Sequence, residues 1–160
     1  MDRLIDVAKR AFEEHHVCKF LISIDRDQLD FGNLDQRVID EHFVFLGSFP
    51  PEKVCDAYAK ADALLNLSDL ESFSNNYMEA WKVGIPMVCS DRDFARNICG
   101  ESAIYVEPHQ PISVLEGLKE LSGDRDRRER MVAEGKQRIA MLPSFDGRFN
   151  AIASWLQDCE

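Results

Sequence analysis

Residues 68–91, SDLESFSNNYMEAWKVGIPMVCSD, hold two glutamates, Glu71 and Glu79, with seven residues between them. Inside that interval Ser74, Asn75 and Asn76 form a polar stretch of the kind that opens a helix, with Ser74 as the expected N-cap. The first N–H groups of a helix have no partner within it, and the positive end of its dipole lies there. Such a start can hold an anion. Glu79 lies one turn in from Asn75, and Glu71 sits in the loop ahead, so an anion at the helix start is flanked by a carboxylate on each side. A carboxylate is a poor phosphate ligand but a good acceptor for paired hydroxyls. Phosphate in the middle with polyols at both ends describes a nucleotide-sugar. A plainer reading stands beside it: Ser68-x-x-Glu71 also fits a capping box, and a helical glutamate such as Glu79 is ordinary. Spacing alone does not choose between them.

The elements that must position these residues alternate along the chain. MDRLIDVAKRAFEE reads as an amphipathic helix, with Leu4, Ile5, Ala8, Ala11 and Phe12 at helical spacing. Five short apolar runs follow: KFLISI (19–24), HFVFLG (42–47), ADALLNLS (61–68), IPMVCS (85–90) and SAIYVEP (102–108). Continuous apolar runs of this length suit strands covered on both faces. Pro51 introduces a helix over EKVCDAYAKA, and a second is expected from about Asn75 to Val83, closed by Gly84 and stopped by Pro86. Strands separated by helices predict an α/β fold with a doubly wound, Rossmann-like, mostly parallel sheet of about five strands and helices on both faces. Beyond Pro108 only helices are expected, over 111–121, 125–142 and 145–156. We read one domain over 1–160, with an α/β core to residue 108 and C-terminal helices over 109–160.

Ligands of open parallel sheets bind at the carboxyl ends of the strands. Three polar loops leave such ends: Gly47-Ser48-Phe49-Pro50, Ser68 to Ser74, and Ser90-Asp91-Arg92-Asp93.

Composition bounds the partners. The 160 residues are 45% apolar and 30% charged, as in a globular chain, and carry a net charge of −10. That balance opposes a broad nucleic-acid or anionic-membrane surface, which needs a basic face, but leaves room for one small anion held locally. Five scattered cysteines (Cys18, Cys55, Cys89, Cys99, Cys159) form no CxxC pair, so we expect no zinc site and a reducing, cytoplasmic compartment. Asp25 to Asp30 lacks the glycine and terminal glutamate of a calcium loop. His15-His16, His42 and His109 read as a helix end and single loop-edge residues, the DRDRRER run (124–130) as a solvated helix face, and Trp81 and Trp155 as core.

From Phe43 to Pro108 the sequence resembles the donor-binding half of the two-domain (GT-B) glycosyltransferases, specifically the retaining glycosyltransferase family 4. FVFLG, DAYAKADALLNLS, ESFSNNYMEAWKVGIPMVCSD and CGESAIYVEP carry the likeness. Glu71, Phe73, Glu79, Ala80, Gly84, Pro86, Ser90 and Asp91 match its pattern of spaced glutamates, Gly-x-Pro and Ser-Asp turn. The resemblance implies that Glu79 binds ribose, that Glu71 approaches the donor sugar, and that Ser74, Asn75 and Asn76 face the diphosphate. Phe73 would lie beside them, with Gly47 and Ser48 against the base. It implies a UDP- or GDP-type sugar donor, no cofactor or metal, and transfer to an acceptor hydroxyl with retention at the anomeric carbon, in glycan or polysaccharide biosynthesis. Peripheral attachment of a full-length enzyme to the inner face of a membrane is compatible with it.

The departures define what the structure must answer. The usual glycine after Phe73 is Ser74, and Asn97 stands where relatives carry a glutamate, with Arg92 and Arg96 as candidate phosphate partners. By the resemblance, a strand, a basic glycine loop and an acceptor-binding domain would precede Met1, and a chain without them is expected to bind donor without completing transfer. The missing strand would sit between the 20–24 and 63–67 strands. The gap is expected to close by direct pairing of those two, with a strand lent by a second copy as the alternative. A non-catalytic binding or assembly module of the same fold is the competing reading, and a nucleotide-sugar epimerase fits less well.

Overall fold

The computed structural model describes residues 2–143, 146, 147, 149, 150 and 154. Helix α1 (Asp2–Glu13) precedes β1 (Phe20–Ile22), and α2 (Gln36–His42) runs directly into β2 (Phe43–Phe45). Then come α3 (Val54–Tyr58), β3 (Leu64–Asn66), α4 (Asn75–Val83), β4 (Met87–Ser90), α5 (Asp93–Cys99) and β5 (Ala103–Val106). Two further helices follow, α6 (Pro111–Gly123) and α7 (Arg125–Met141). The helix expected over 145–156 falls mostly outside the described residues, as do Trp155 and Cys159.

All five expected strands form, and every pairing is parallel. They make two sheets, however: β1 pairs with β2, and β3-β4-β5 form a second sheet with β4 central. The expected pairing of β1 with β3 is not made. A cleft of about 430 Å³ lies beside β3 instead, lined by Asp2, Arg3 and Leu4 of α1 and by Leu65 and Leu67. The first turn of α1 occupies this region, and Arg3 donates to the Leu67 carbonyl at 2.6 Å.

The apolar runs are continuous because both faces of the sheet are covered. On β4 and β5, Val88, Ile104 and Val106 join Val7, Ala8, Val114 and Leu121 in one core under α1 and α6. The alternate residues Met87, Cys89 and Ala103 join Tyr77, Ala80, Trp81, Ala95 and Cys99 under α4 and α5. Burying the side chains of one strand on opposite faces fixes its register, since a slip of one residue would exchange the two cores. Phe20 and Phe43, partners in the β1–β2 register, extend the first core. Trp81 is buried as expected, its indole N–H donating to the Ser102 hydroxyl at 3.0 Å.

Helix α2 went unread in the sequence. Its seven residues bury Val38, Ile39 and His42, too short a run to show a helical period. His42 is therefore core and not a loop edge: it is fully buried, and its Nδ1 lies 2.9 Å from the Cys18 carbonyl. The mixed-charge run at 124–130 opens α7 as a largely exposed face, where Asp124 caps the helix by accepting from the Arg127 N–H at 2.8 Å.

Candidate functional site

Helix α4 begins at Asn75, as the sequence predicts, and ends at Gly84 in the left-handed conformation (φ 84°), where a side chain is strained. Tyr77 and Ala80, fully buried, and Trp81 anchor it, so its polar start is held at the carboxyl end of β3. Asn75 and Asn76 are exposed there. Ser74 occupies the N-cap position with extended backbone, but its side chain makes no capping bond. Its carbonyl instead accepts from the Tyr77 N–H at 3.3 Å, and the residue is buried. The expectation of a hydroxyl cap is thus corrected. Among the described residues no side chain caps the start of α4.

The two glutamates have different surroundings. Glu71 is half-buried and accepts from the Ser68 hydroxyl at 3.0 Å. Ser68 and Glu71 thus bond side chain to side chain and do not form a capping box. The Ser68 carbonyl accepts from the buried Ser90 hydroxyl at 2.5 Å, and the Ser68 N–H donates to Asn66 Oδ1 at 3.1 Å. Glu79, also half-buried, lies beside the Tyr58 hydroxyl of α3. Burial first, and then the Glu79 carboxylate, push that hydroxyl well above its ordinary pKa. Tyr58 therefore stays protonated beside Glu79. Phe73 is 43% exposed, and Leu70 beside it is 87% exposed, so this loop presents apolar side chains as well as carboxylates.

The loops after β1 and β2 meet one another. Gly47 has φ 71°, a conformation that favours glycine, and the exposed Asp25 carboxylate of the loop after β1 lies against it, 2.9 Å from where a Cβ would stand. Ser48 beside it is exposed.

The loops after β3, β4 and β5 are joined by a charge network that the sequence did not reveal. Asp69 is its hub. It accepts from Arg3 of α1, from Arg92 after β4 at 3.2 Å, and from His109 after β5, whose Nε2 lies 3.0 and 3.1 Å from the two carboxylate oxygens. Facing a carboxylate, that nitrogen carries the proton. Arg92 also grips both oxygens of Glu107, at 3.0 and 3.1 Å. Burial pushes the Asp69 carboxyl up, but hydrogen bonds from Arg3 and His109 outweigh it and hold the pKa below its ordinary value. Arg92 does the same to Glu107. Arg96 is committed elsewhere, to Asp91 through both its Nε and its Nη2 and over the Tyr105 ring at 4.5 Å. Both candidate phosphate partners are thus paired with carboxylates in this state. The signal in the sequence was weak: Arg3 and His109 lie 66 and 40 positions from Asp69.

The sequence model of the family described as Glycosyl transferases group 1 matches residues 1–138. The chain belongs to that family. It is 33% identical over 109 residues to a D-inositol 3-phosphate glycosyltransferase of Nocardia farcinica, a match covering 67% of this chain and 24% of that protein. The chain thus spans about a quarter of the length of the curated relative it matches. Sucrose-phosphate synthase from Thermosynechococcus elongatus has the same fold over 99% of this chain and 43% of its own, with a TM-score of 0.73 at 16% identity. No helix among the described residues of this glycosyltransferase-family chain is long and apolar enough to cross a membrane.

Proposed function

We propose that this chain is the nucleotide-sugar-binding part of a retaining glycosyltransferase of family 4. The observation that carries the reading is one loop and one helix start. Residues 68–74, carrying Glu71, follow the carboxyl end of a parallel strand and lead into α4, whose first turn holds the exposed residues Asn75 and Asn76 and which carries Glu79 one turn further on. Glu79 takes the ribose hydroxyls, with Tyr58 orienting its carboxylate. The α4 amides take the diphosphate, and the glycine turn at Gly47 and Ser48 lies against the base. Glu71, steadied by Ser68, positions the donor sugar.

In the reaction so assigned, the bond from the anomeric carbon to the diphosphate oxygen breaks and a bond to an acceptor hydroxyl oxygen forms on the same face. The acceptor's proton leaves with the nucleoside diphosphate. Glu71 orients the sugar and forms no covalent intermediate. An acceptor must also be oriented, which can supply about 7–11 kcal/mol of a barrier in favourable cases. That task falls to a surface other than the α4 mouth, and we place the complete reaction in glycan assembly in the cytoplasm.

A second reading, a binding module without turnover, draws on the pairing of Arg92 and Arg96 with carboxylates in this structure. Titration calorimetry with UDP, GDP and their hexose conjugates separates the donor reading from an inert assembly module, which binds none of them. The donor reading expects saturable binding of one nucleotide series, and heats no larger than dilution for all of them overturn it.

A further inference from the structure

Two arginines and a histidine from three separate elements converge on one partly exposed carboxylate at the carboxyl ends of the strands. Arg3 belongs to the first turn of α1, Arg92 follows β4 and His109 follows β5. Asp69 is 40% exposed at its side chain, Arg3 32% and Arg92 28%, so this is a solvent-reachable cluster and no buried clamp. Arg3 also lines the open cleft beside β3. Asp91 and Asp35 are each held by one arginine, Arg96 and Arg37, whereas Asp69 draws on three side chains.

We propose that Asp69 is an internal stand-in for the diphosphate, and that a bound nucleoside diphosphate takes Arg3 and Arg92 from it. This rests on the donor-binding reading and specifies which cations neutralise the donor. Each of the two arginines is held by a second acceptor that does not depend on Asp69. Arg3 donates to the Leu67 carbonyl at 2.6 Å, and Arg92 keeps Glu107 at 3.0 and 3.1 Å. Both guanidiniums thus remain aimed at the same place when Asp69 withdraws. Asp69 also lies two residues before Glu71 on the same loop, so its release frees the loop to settle around the donor. An arginine fork fits phosphate oxygens as well as carboxylate oxygens, which makes the exchange chemically even-handed. The doubly charged diphosphate, aided by the α4 amides, outcompetes a single carboxylate.

The sign of one mutational effect tests this. A carboxylate that merely scaffolds the loop would, on removal, weaken ligand binding or leave it unchanged. A competitor, on removal, strengthens it. Binding of UDP, GDP, inorganic pyrophosphate, uridine and guanosine is measured by calorimetry on the full chain and on Asp69→Asn, Arg3→Gln and Arg92→Gln. Asp69→Asn is expected to tighten the diphosphates about three- to fivefold, the upper range of one exposed ion pair, with nucleosides unaffected. Each arginine variant is expected to weaken the diphosphates about tenfold or more, as loss of a charge-assisted bond requires. Diphosphate affinity that falls or stays constant in Asp69→Asn overturns the exchange. If that variant does not fold, unchanged diphosphate affinity in both arginine variants overturns it instead. Absence of binding by every probe to every variant refutes the donor-binding reading itself.

Discussion

The Ser90 hydroxyl donates to the Ser68 carbonyl at 2.5 Å, so the end of β4 holds the start of the loop that carries Glu71. Ser90 is fully buried, and among the described residues no other side chain donates to that carbonyl. Ser90→Ala removes the donor and leaves the acceptor unpaired, which costs about 1–3 kcal/mol. The expected outcome is a lower melting temperature together with faster amide exchange over 68–74 than elsewhere in the sheet. Loss of stability without that local increase would mean that Ser90 acts only as core.

Glu79 is the residue on which the ribose assignment turns. A carboxylate accepting from both ribose hydroxyls loses about 1.5–3 kcal/mol per charge-assisted bond when removed. Glu79→Ala is therefore expected to weaken the preferred nucleoside diphosphate by an order of magnitude or more, and inorganic pyrophosphate little. Tyr58→Phe should reproduce a small part of the effect, since it removes only the group that orients the carboxylate. Equal nucleotide affinity in Glu79→Ala and the parent chain would sink the assignment.

What the sequence disclosed, and what it withheld, follows the reach of each interaction. The five strands were legible because Val88 and Cys89, or Ile104 and Tyr105, face opposite cores and leave no polar gap in the run. The limits of α4 were legible because Asn75, Gly84 and Pro86 act on the backbone within a few residues. The division into two sheets was not, because it depends on where the first turn of α1 settles relative to Leu65 and Leu67, some sixty residues away. The Asp69 network escaped for the same reason. His109, alone in its segment, has no meaning until β3 and β5 are placed on either side of β4.

Gly135 of α7 lies against the indole of Trp81, where an added Cβ would come within 2.3 Å of Cδ1 and 3.0 Å of Cγ. The ring cannot retreat freely, because its N–H is tied to Ser102, whose hydroxyl in turn donates to the Cys99 carbonyl at 2.7 Å. Overpacking of this kind costs about 1–3 kcal/mol even though alanine is the better helix former. Gly135→Ala is expected to lower the denaturant midpoint and to shift Trp81 fluorescence. A stabilised variant would show that α7 can slide away from α4.

The thiols should differ sharply in reactivity. Cys55 is exposed, whereas Cys89 and Cys99 are fully buried in the core under α4 and α5. Burial, and secondarily the charge of Glu41, push the half-buried Cys18 thiol up to about 11, so little thiolate is present at neutral pH. Among the four described thiols, alkylation of the native chain at pH 7.5, read by peptide mass spectrometry, is expected to modify Cys55 first and Cys18 much later. Cys89 and Cys99 should react only with unfolding. Rapid modification of Cys89 under native conditions would contradict the packing of β4.

Acid stability has a definite sign. The carboxyls of Asp69, Asp91 and Asp35 are held below their ordinary 3.8, and those of Glu107 and Glu14 below their ordinary 4.5. For Asp69, burial pushes upward and is overcome by Arg3 and His109; for the others a hydrogen bond from Arg96, Arg37, Arg92 or Lys119 leads. A depressed folded-state pKa means that the unfolded chain binds more protons between the two values, so stability rises with pH across that interval. The contribution is fully present above the unfolded values and disappears as pH falls through the lower folded ones. Melting temperature is therefore expected to stay nearly level from pH 7 to about 5 and to fall below about 4.5. These groups are exposed, so added salt should weaken the pairs and flatten the fall. Asp69→Asn, having lost one depressed carboxyl, should show a shallower acid limb than the parent chain. An identical limb would mean that Asp69 is not held by Arg3 and His109 in solution.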